Sequence, residues 1–170
     1  MRLIDYQLSR PPFGPQAPAS SEEIGSEISP ADNTRVKSAF PLLVVTVDDL
    51  DHSTLHRILG NDCHLHRAAG RRDAVSMARH IQPWVVICDQ ILADGDWRDL
   101  LMDLQAESEA PPLIVSSRIA DDRLWAEVLN LGGYDLLMKP FLAAEVSRVV
   151  RMAARRGVRL RENNPQAAGK

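Results

Sequence analysis

Leu42-Leu43-Val44-Val45-Thr46-Val47 is the stretch on which the fold turns. It is rich in β-branched side chains and apolar on both of the faces that a strand presents, which suits a central parallel strand covered by helices on either side. It is also the longest apolar run in the chain, far short of a bilayer span, so no membrane-spanning segment is expected. Outward from it, the pattern alternates. Leu55, Ile58 and Leu59 recur at helical spacing and stop at Gly60-Asn61. A short strand is expected over His64 to Ala68. Next comes a helix carrying Ala74, Val75, Met77, Ala78 and Ile81, ended by Pro83. Trp84-Val85-Val86-Ile87-Cys88 runs as a strand straight into Asp89. Leu100, Leu101 and Leu104 mark a third helix, and Leu113-Ile114-Val115-Ser116 a fourth strand after Pro111-Pro112. Asp121-Asp122 opens a helix that reaches Gly132-Gly133, since carboxylates there cap free amides at the positive end of the dipole. Asp135 to Met138 reads as a fifth strand ending in Lys139-Pro140, and a last helix starts near Ala143. Five strands alternating with five helices predict an α/β fold, a doubly wound five-stranded parallel sheet with helices on both faces.

The 170 residues are 45% hydrophobic and 25% charged with a net charge of −3, which suits one domain. Cys63 and Cys88 make no disulfide framework and no zinc spacing. No basic and apolar leader opens the chain, so the expectation is a soluble, cytoplasmic protein. Charge is partitioned: residues 1–40 carry 4 basic and 5 acidic side chains, 41–140 carry 9 and 16, and 141–170 carry 7 and 2. Residues 1–40 hold Pro11, Pro12, Pro15, Pro18 and Pro30 and no apolar repeat, so they are expected to form a disordered arm. The domain is then expected over 41–157, followed by a basic and polar tail at 158–170. Arg148, Arg151, Arg155, Arg156, Arg159 and Arg161 recur along and beyond the last helix. They are read as a solvated face or a contact for an acidic partner rather than as a nucleic-acid site. His52 with His56 and His64 with His66 lack a third ligand at metal spacing. Trp97 and Trp125 read as helix packing residues.

Sites in doubly wound folds lie at the carboxyl ends of the strands. There the sequence puts Asp48-Asp49, Asp89, Ser116-Ser117 and Lys139. Clustered carboxylates repel one another unless a cation sits among them, and hard oxygen ligands favour Mg²⁺. A phosphoryl group would find a metal, a hydroxyl and an ammonium there.

These segments resemble the receiver domain of two-component response regulators, as an atypical member of the CheY-like superfamily. The resemblance runs from about Leu42 to Arg155. It is carried by Pro83 to Asp89, by Leu113-Ile114-Val115-Ser116-Ser117, by Gly132-Gly133 to Lys139-Pro140-Phe141, and by Ala68 to Ala74. It implies that Asp89 accepts a phosphoryl group from a histidine kinase or phosphotransfer protein, with Mg²⁺ bound by Asp48, Asp49, Asp89 and the backbone carbonyl of Ile91. Ser117, rather than Ser116, would follow the phosphoryl group, Lys139 would pair with its oxygens, and the Lys139-Pro140 peptide would be cis. The chain would be a single-domain regulator without an output domain, no enzyme beyond its own phosphoryl transfer and dephosphorylation. It would switch a surface around the fourth helix, fifth strand and fifth helix toward a downstream protein or a second copy.

Three departures stand against this pattern. Aligned without a gap to the family's first helix, Thr46-Val47 rather than Asp48-Asp49 falls at the metal-binding acid pair. Asp48 and Asp49 would then be loop residues, with Asp51 as a helix cap. Ala93 replaces a proline in the loop after Asp89. Leu136 stands where the family's switch aromatic would be, with Tyr134 two residues away. The alternative is a phosphorylation-independent pseudo-receiver, a protein-interaction module.

Overall fold

The computed structural model describes residues 39–107 and 109–162, with side chains to residue 158. Most of the expected N-terminal arm and the end of the tail therefore lie outside the described residues. The elements are β1 (Phe40–Val45), α1 (Asp49–Leu59), β2 (Cys63–Ala68), α2 (Arg71–Ile81), β3 (Val85–Asp89), β4 (Ile91–Leu92), β5 (Gly95–Asp96), α3 (Trp97–Gln105), β6 (Leu113–Ser117), α4 (Asp122–Asn130), β7 (Asp135–Met138) and α5 (Ala143–Glu162).

Five strands form one parallel sheet in the order β2-β1-β3-β6-β7. Because side chains alternate along a strand, each central strand feeds two cores. Leu43, Val45, Val86, Cys88, Leu113, Val115 and Leu136 pack with α2, α3 and α4. Leu42, Val44, Val85, Ile87, Ile114 and Leu137 pack with α1 and α5. This two-sided demand is why the runs are apolar at every position. Cys88 and Cys63 are both buried, and burial pushes the Cys63 thiol up to about 12 and the Cys88 thiol up as well.

Three details differ from the expectations. Phe40, assigned to the arm, is the first residue of β1 and stacks on Trp84 with centroids 5.3 Å apart. The helix α5 continues to Glu162, into the segment read as tail. The chain after Asp89 folds into a small antiparallel hairpin, β4 and β5, that hydrophobic periodicity could not reveal in two-residue strands.

That hairpin is tied into the domain by caps. Asp96 and Asp99 form a reciprocal capping box at the start of α3. The helix α2 starts at Gly70, which has no side chain to cap it, and the carboxylate of Asp94 reaches across to accept from the amides of Arg71 and Arg72. Those two amides hold the Asp94 carboxyl below its ordinary value.

α5 lies close to the start of β3. A Cβ added at Gly157 would stand 2.6 Å from the Trp84 carbonyl oxygen, which is backbone and cannot swing away. Gly157→Ala is therefore expected to destabilise the domain by about 1–3 kcal/mol, as overpacking does. A urea midpoint equal to that of the wild type would contradict this close approach.

Candidate functional site

Asp89 ends β3 beside β1, where the chain's crossovers change direction and doubly wound sheets open a crevice. Its Oδ2 accepts from the Thr46 hydroxyl at 2.7 Å, and its Oδ1 accepts from the Ser116 hydroxyl at 3.0 Å and from Lys139 Nζ at 2.6 Å. Lys139 Nζ also donates to Asp51 Oδ2 at 2.5 Å. The Lys139, Asp51 and Asp89 side chains are 7%, 12% and 17% exposed. One ammonium thus stands between two largely buried carboxylates. Burial alone draws the Lys139 pKa down, but hydrogen bonds and charge from Asp51 and Asp89 outweigh it, and the net shift is upward. The Lys139-Pro140 peptide is cis, and the Lys139 amide donates to the Ser117 carbonyl, which anchors the lysine at the mouth of the sheet.

The acid pair is elsewhere. β1 ends at Val45, and Thr46 and Val47 occupy the strand end. Asp48 is the N-cap of α1, its Oδ1 accepting from the amides of Leu50 at 2.9 Å and Asp51 at 3.3 Å and its Oδ2 facing Arg118 Nη2 at 3.4 Å. Those amides, Asp51 before Leu50, hold the Asp48 carboxyl below its usual value. Asp49 is 92% exposed and pairs with Arg67. The expected metal set of Asp48, Asp49 and Asp89 is therefore not assembled. The free amides and positive end of α1 claim Asp48, and the first turn of the helix directs Asp49 outward.

Asp51, expected as a helix cap, is instead a member of the site. It sits four residues before Leu55 and eight before Leu59 on the one buried stripe of α1. A carboxylate on a core-facing stripe was the signal that could have found it.

The hydroxyls also differ from expectation. Ser116 lies directly opposite Asp89 in the β3–β6 register and touches it, whereas the Ser117 hydroxyl donates to Gln90 Oε1 at 2.7 Å and accepts from the Ile119 amide at 3.0 Å. Strand alternation turns neighbours to opposite sides, and pairing with Asp89 selects Ser116. Ile91 lies in the hairpin, paired with Asp96, with its side chain exposed. Leu136 is buried against the α2, α3 and α4 layer. Tyr134 stays half-buried, with the Arg156 guanidinium 5.9 Å from its ring.

Mg²⁺ needs octahedral oxygen ligands anchored by carboxylates that are free to bind it. Here Asp51 and Asp89 share Lys139, Asp89 also accepts hydrogen bonds from two hydroxyls, and Asp48 is held by helix amides. Among the described residues no group of three or more His, Cys, Asp or Glu side chains is placed to hold a metal ion. The carboxylates expected to join Asp89 at that ion, Asp48 and Asp49, are not brought to it, and the one that is, Asp51, shares Lys139 with it. His52 and His56 stand 6.4 Å apart between ring centroids and lie within the same finding.

No family model matches the chain. It is 27% identical over 115 residues to the regulatory protein AtoC of Escherichia coli strain K12, which covers 65% of this chain and 24% of that protein. The chain thus spans about a quarter of the length of that relative. Among solved structures, a two-component response regulator from Clostridium difficile superposes with a TM-score of 0.61 at 22% identity, covering 69% of this chain and 97% of that one. The chemotaxis response regulator CheY4 of Vibrio cholerae superposes with a TM-score of 0.63 at 16% identity, covering 68% and 99%. The chain has the receiver-domain fold.

Proposed function

We propose that this receiver domain acts in two-component signalling as a phosphorylation-independent protein-interaction module, with Asp89 serving as a structural carboxylate. The observation that carries this reading is the closed network of Thr46, Ser116, Lys139 and Asp51 around Asp89, together with the diversion of Asp48 and Asp49 to the end of α1. Phosphoryl transfer to a carboxylate builds negative charge on oxygens that a positioned cation must offset. Lys139 is the one cation that reaches Asp89 among the described ion pairs, and Asp51 already draws on its charge. The domain is then no enzyme, and its output is the binding of a protein partner.

A second reading, acceptance of a phosphoryl group on Asp89, is favoured by the Lys139 and Ser116 contacts at its Oδ1. Incubation with acetyl phosphate and Mg²⁺, followed by intact-mass measurement of the wild type and of Asp89→Asn, separates the two. No adduct on either protein is expected. A phosphoryl adduct on the wild type that disappears in Asp89→Asn would overturn the proposal in favour of the relay reading.

A further inference from the structure

Six of the nine lysines and arginines between residues 41 and 140 hold a carboxylate within the domain. The arginines of α5 do not. Arg148, Arg151, Arg155 and Arg156 are exposed, and none of them forms an ion pair among the described residues. The Arg148 guanidinium donates to Met152 Sδ at 3.8 Å, and that of Arg156 lies 5.9 Å from the Tyr134 ring. Between Val146 and Val158 the helix carries no Asp or Glu at all.

Arg148, Arg151 and Arg155 follow one another at three- and four-residue spacing, so they stand on one side of α5 over ~10 Å of its length. Met152, 50% exposed, shares that side, four residues after Arg148 and three before Arg155. The other side, with Val146, Val149, Val150 and Ala153, is buried against the sheet. Like charges at these spacings repel one another and weaken a helix, and a facing row of carboxylates would relieve them through charge-assisted hydrogen bonds.

The rest of the domain limits what can lie on this side. Residues 41–140 hold 16 acidic against 9 basic side chains, and the chain as a whole is at −3. A nucleic acid or an anionic bilayer spreads its charge beyond the stripe and meets that acidic surface. A short acidic segment does not, because salt screens charges more than ~8 Å away at physiological ionic strength. The apolar side of α5 is also committed to the core, which leaves no face of this helix to enter a bilayer. Met152 adds a polarizable apolar contact, which suits an amphipathic helix better than a row of phosphates.

We infer that the Arg148, Arg151 and Arg155 side of α5 binds an acidic amphipathic helix of a protein partner, whose carboxylates meet the guanidiniums while an apolar side chain covers Met152. The inference rests on the preceding reading in taking protein binding as the output of the domain, and it adds the surface and the chemistry of the partner.

Fluorescence anisotropy with the full chain tests it. The probe is a labelled helical peptide of about 18 residues, with Glu at three- and four-residue spacing beside a row of Leu. The peptide is expected to bind, and to bind less well as salt rises. Arg151→Glu combined with Arg155→Glu, and the neutral pair Arg148→Gln with Arg155→Gln, are each expected to weaken binding at least about tenfold with unchanged circular dichroism. Arg123→Glu, which reverses an exposed and unpaired charge on α4, is expected to bind as the wild type does. Absence of binding, or binding that neither α5 pair weakens, would overturn the inference. So would equal binding of a peptide of the same composition with its Glu residues scattered around the helix, or tighter binding of a single-stranded oligonucleotide or of phosphatidylserine vesicles. Failure here is separate from failure of the functional reading, because acetyl phosphate labelling of Asp89 is scored by mass and not by peptide binding.

Discussion

Lys139→Met is expected to destabilise the domain by about 3 kcal/mol at neutral pH, near the low end of what removing one partner from a buried ion pair costs. The substitution keeps the length of the side chain and removes the one positive charge that the described ion pairs place between Asp51 and Asp89. Two carboxylates, 12% and 17% exposed, then face each other with no cation between them. The cost stays at the low end because both retain some water and Asp89 keeps the hydroxyls of Thr46 and Ser116. Urea denaturation of the variant gives the loss directly. Adding Asp51→Asn to Lys139→Met should recover part of it, since one of the two unpaired charges is gone, and the double-mutant cycle measures the coupling. A loss below about 1 kcal/mol would show that the pair behaves as a solvent-screened surface contact.

The same pair fixes a pH dependence. The Lys139 pKa is raised in the folded state, so its contribution to stability is fully present below the unfolded lysine value of about 10.4 and is lost as pH rises through the higher folded value. The stability difference between wild type and Lys139→Met is therefore expected to hold level through neutral pH and to shrink in the alkaline range above about 10.4. A difference that grew with rising pH would have the wrong sign for this linkage.

Trp97→Ala is expected to cost about 4 kcal/mol, within the range for truncating a large buried aromatic. Trp97 is fully buried in the layer formed with α2, α3 and α4, and as the first residue of α3 it joins the hairpin to that helix. Its amide donates to the Gln90 carbonyl, which ties the layer to the residue after Asp89. The indole Nε1 is buried without a hydrogen-bond acceptor, which makes Trp97→Phe informative. Phenylalanine keeps most of the apolar area and removes the unpaired N–H, so its expected cost is under about 1.5 kcal/mol. Thermal and urea unfolding of both variants check the contrast. Equal losses would mean that the indole nitrogen contributes stability after all.

The sheet was legible because its chemistry is local. Parallel strands covered on both faces must be apolar at consecutive positions, and Leu42 to Val45, Val85 to Cys88 and Leu113 to Val115 declare themselves this way. Asp135 to Met138 has the same bounds in sequence and structure. The hairpin of β4 and β5 was not legible, because two-residue strands carry no period and its cap on α2 comes from Asp94, some twenty residues away in the chain. The site was legible in part. Asp89 and Lys139 meet at the strand ends, whereas Asp51 and Ser116 replace Asp48, Asp49 and Ser117 as their companions.

What the sequence by itself determined is the alternation of strands and helices, and with it the gathering of Asp89 and Lys139 at one edge. Hydrophobic periodicity and caps act within a few residues, so they can be read without neighbours. Which carboxylate completes the site was decided only by the tertiary structure. The end of β1 is set by its pairing with β2 and β3, the start of α1 by the free amides that take Asp48, and the turn of α1 by the core that buries Leu55 and Leu59. Those three constraints come from different parts of the chain. Together they turn Asp51 inward to Lys139 and leave Asp49 in solvent.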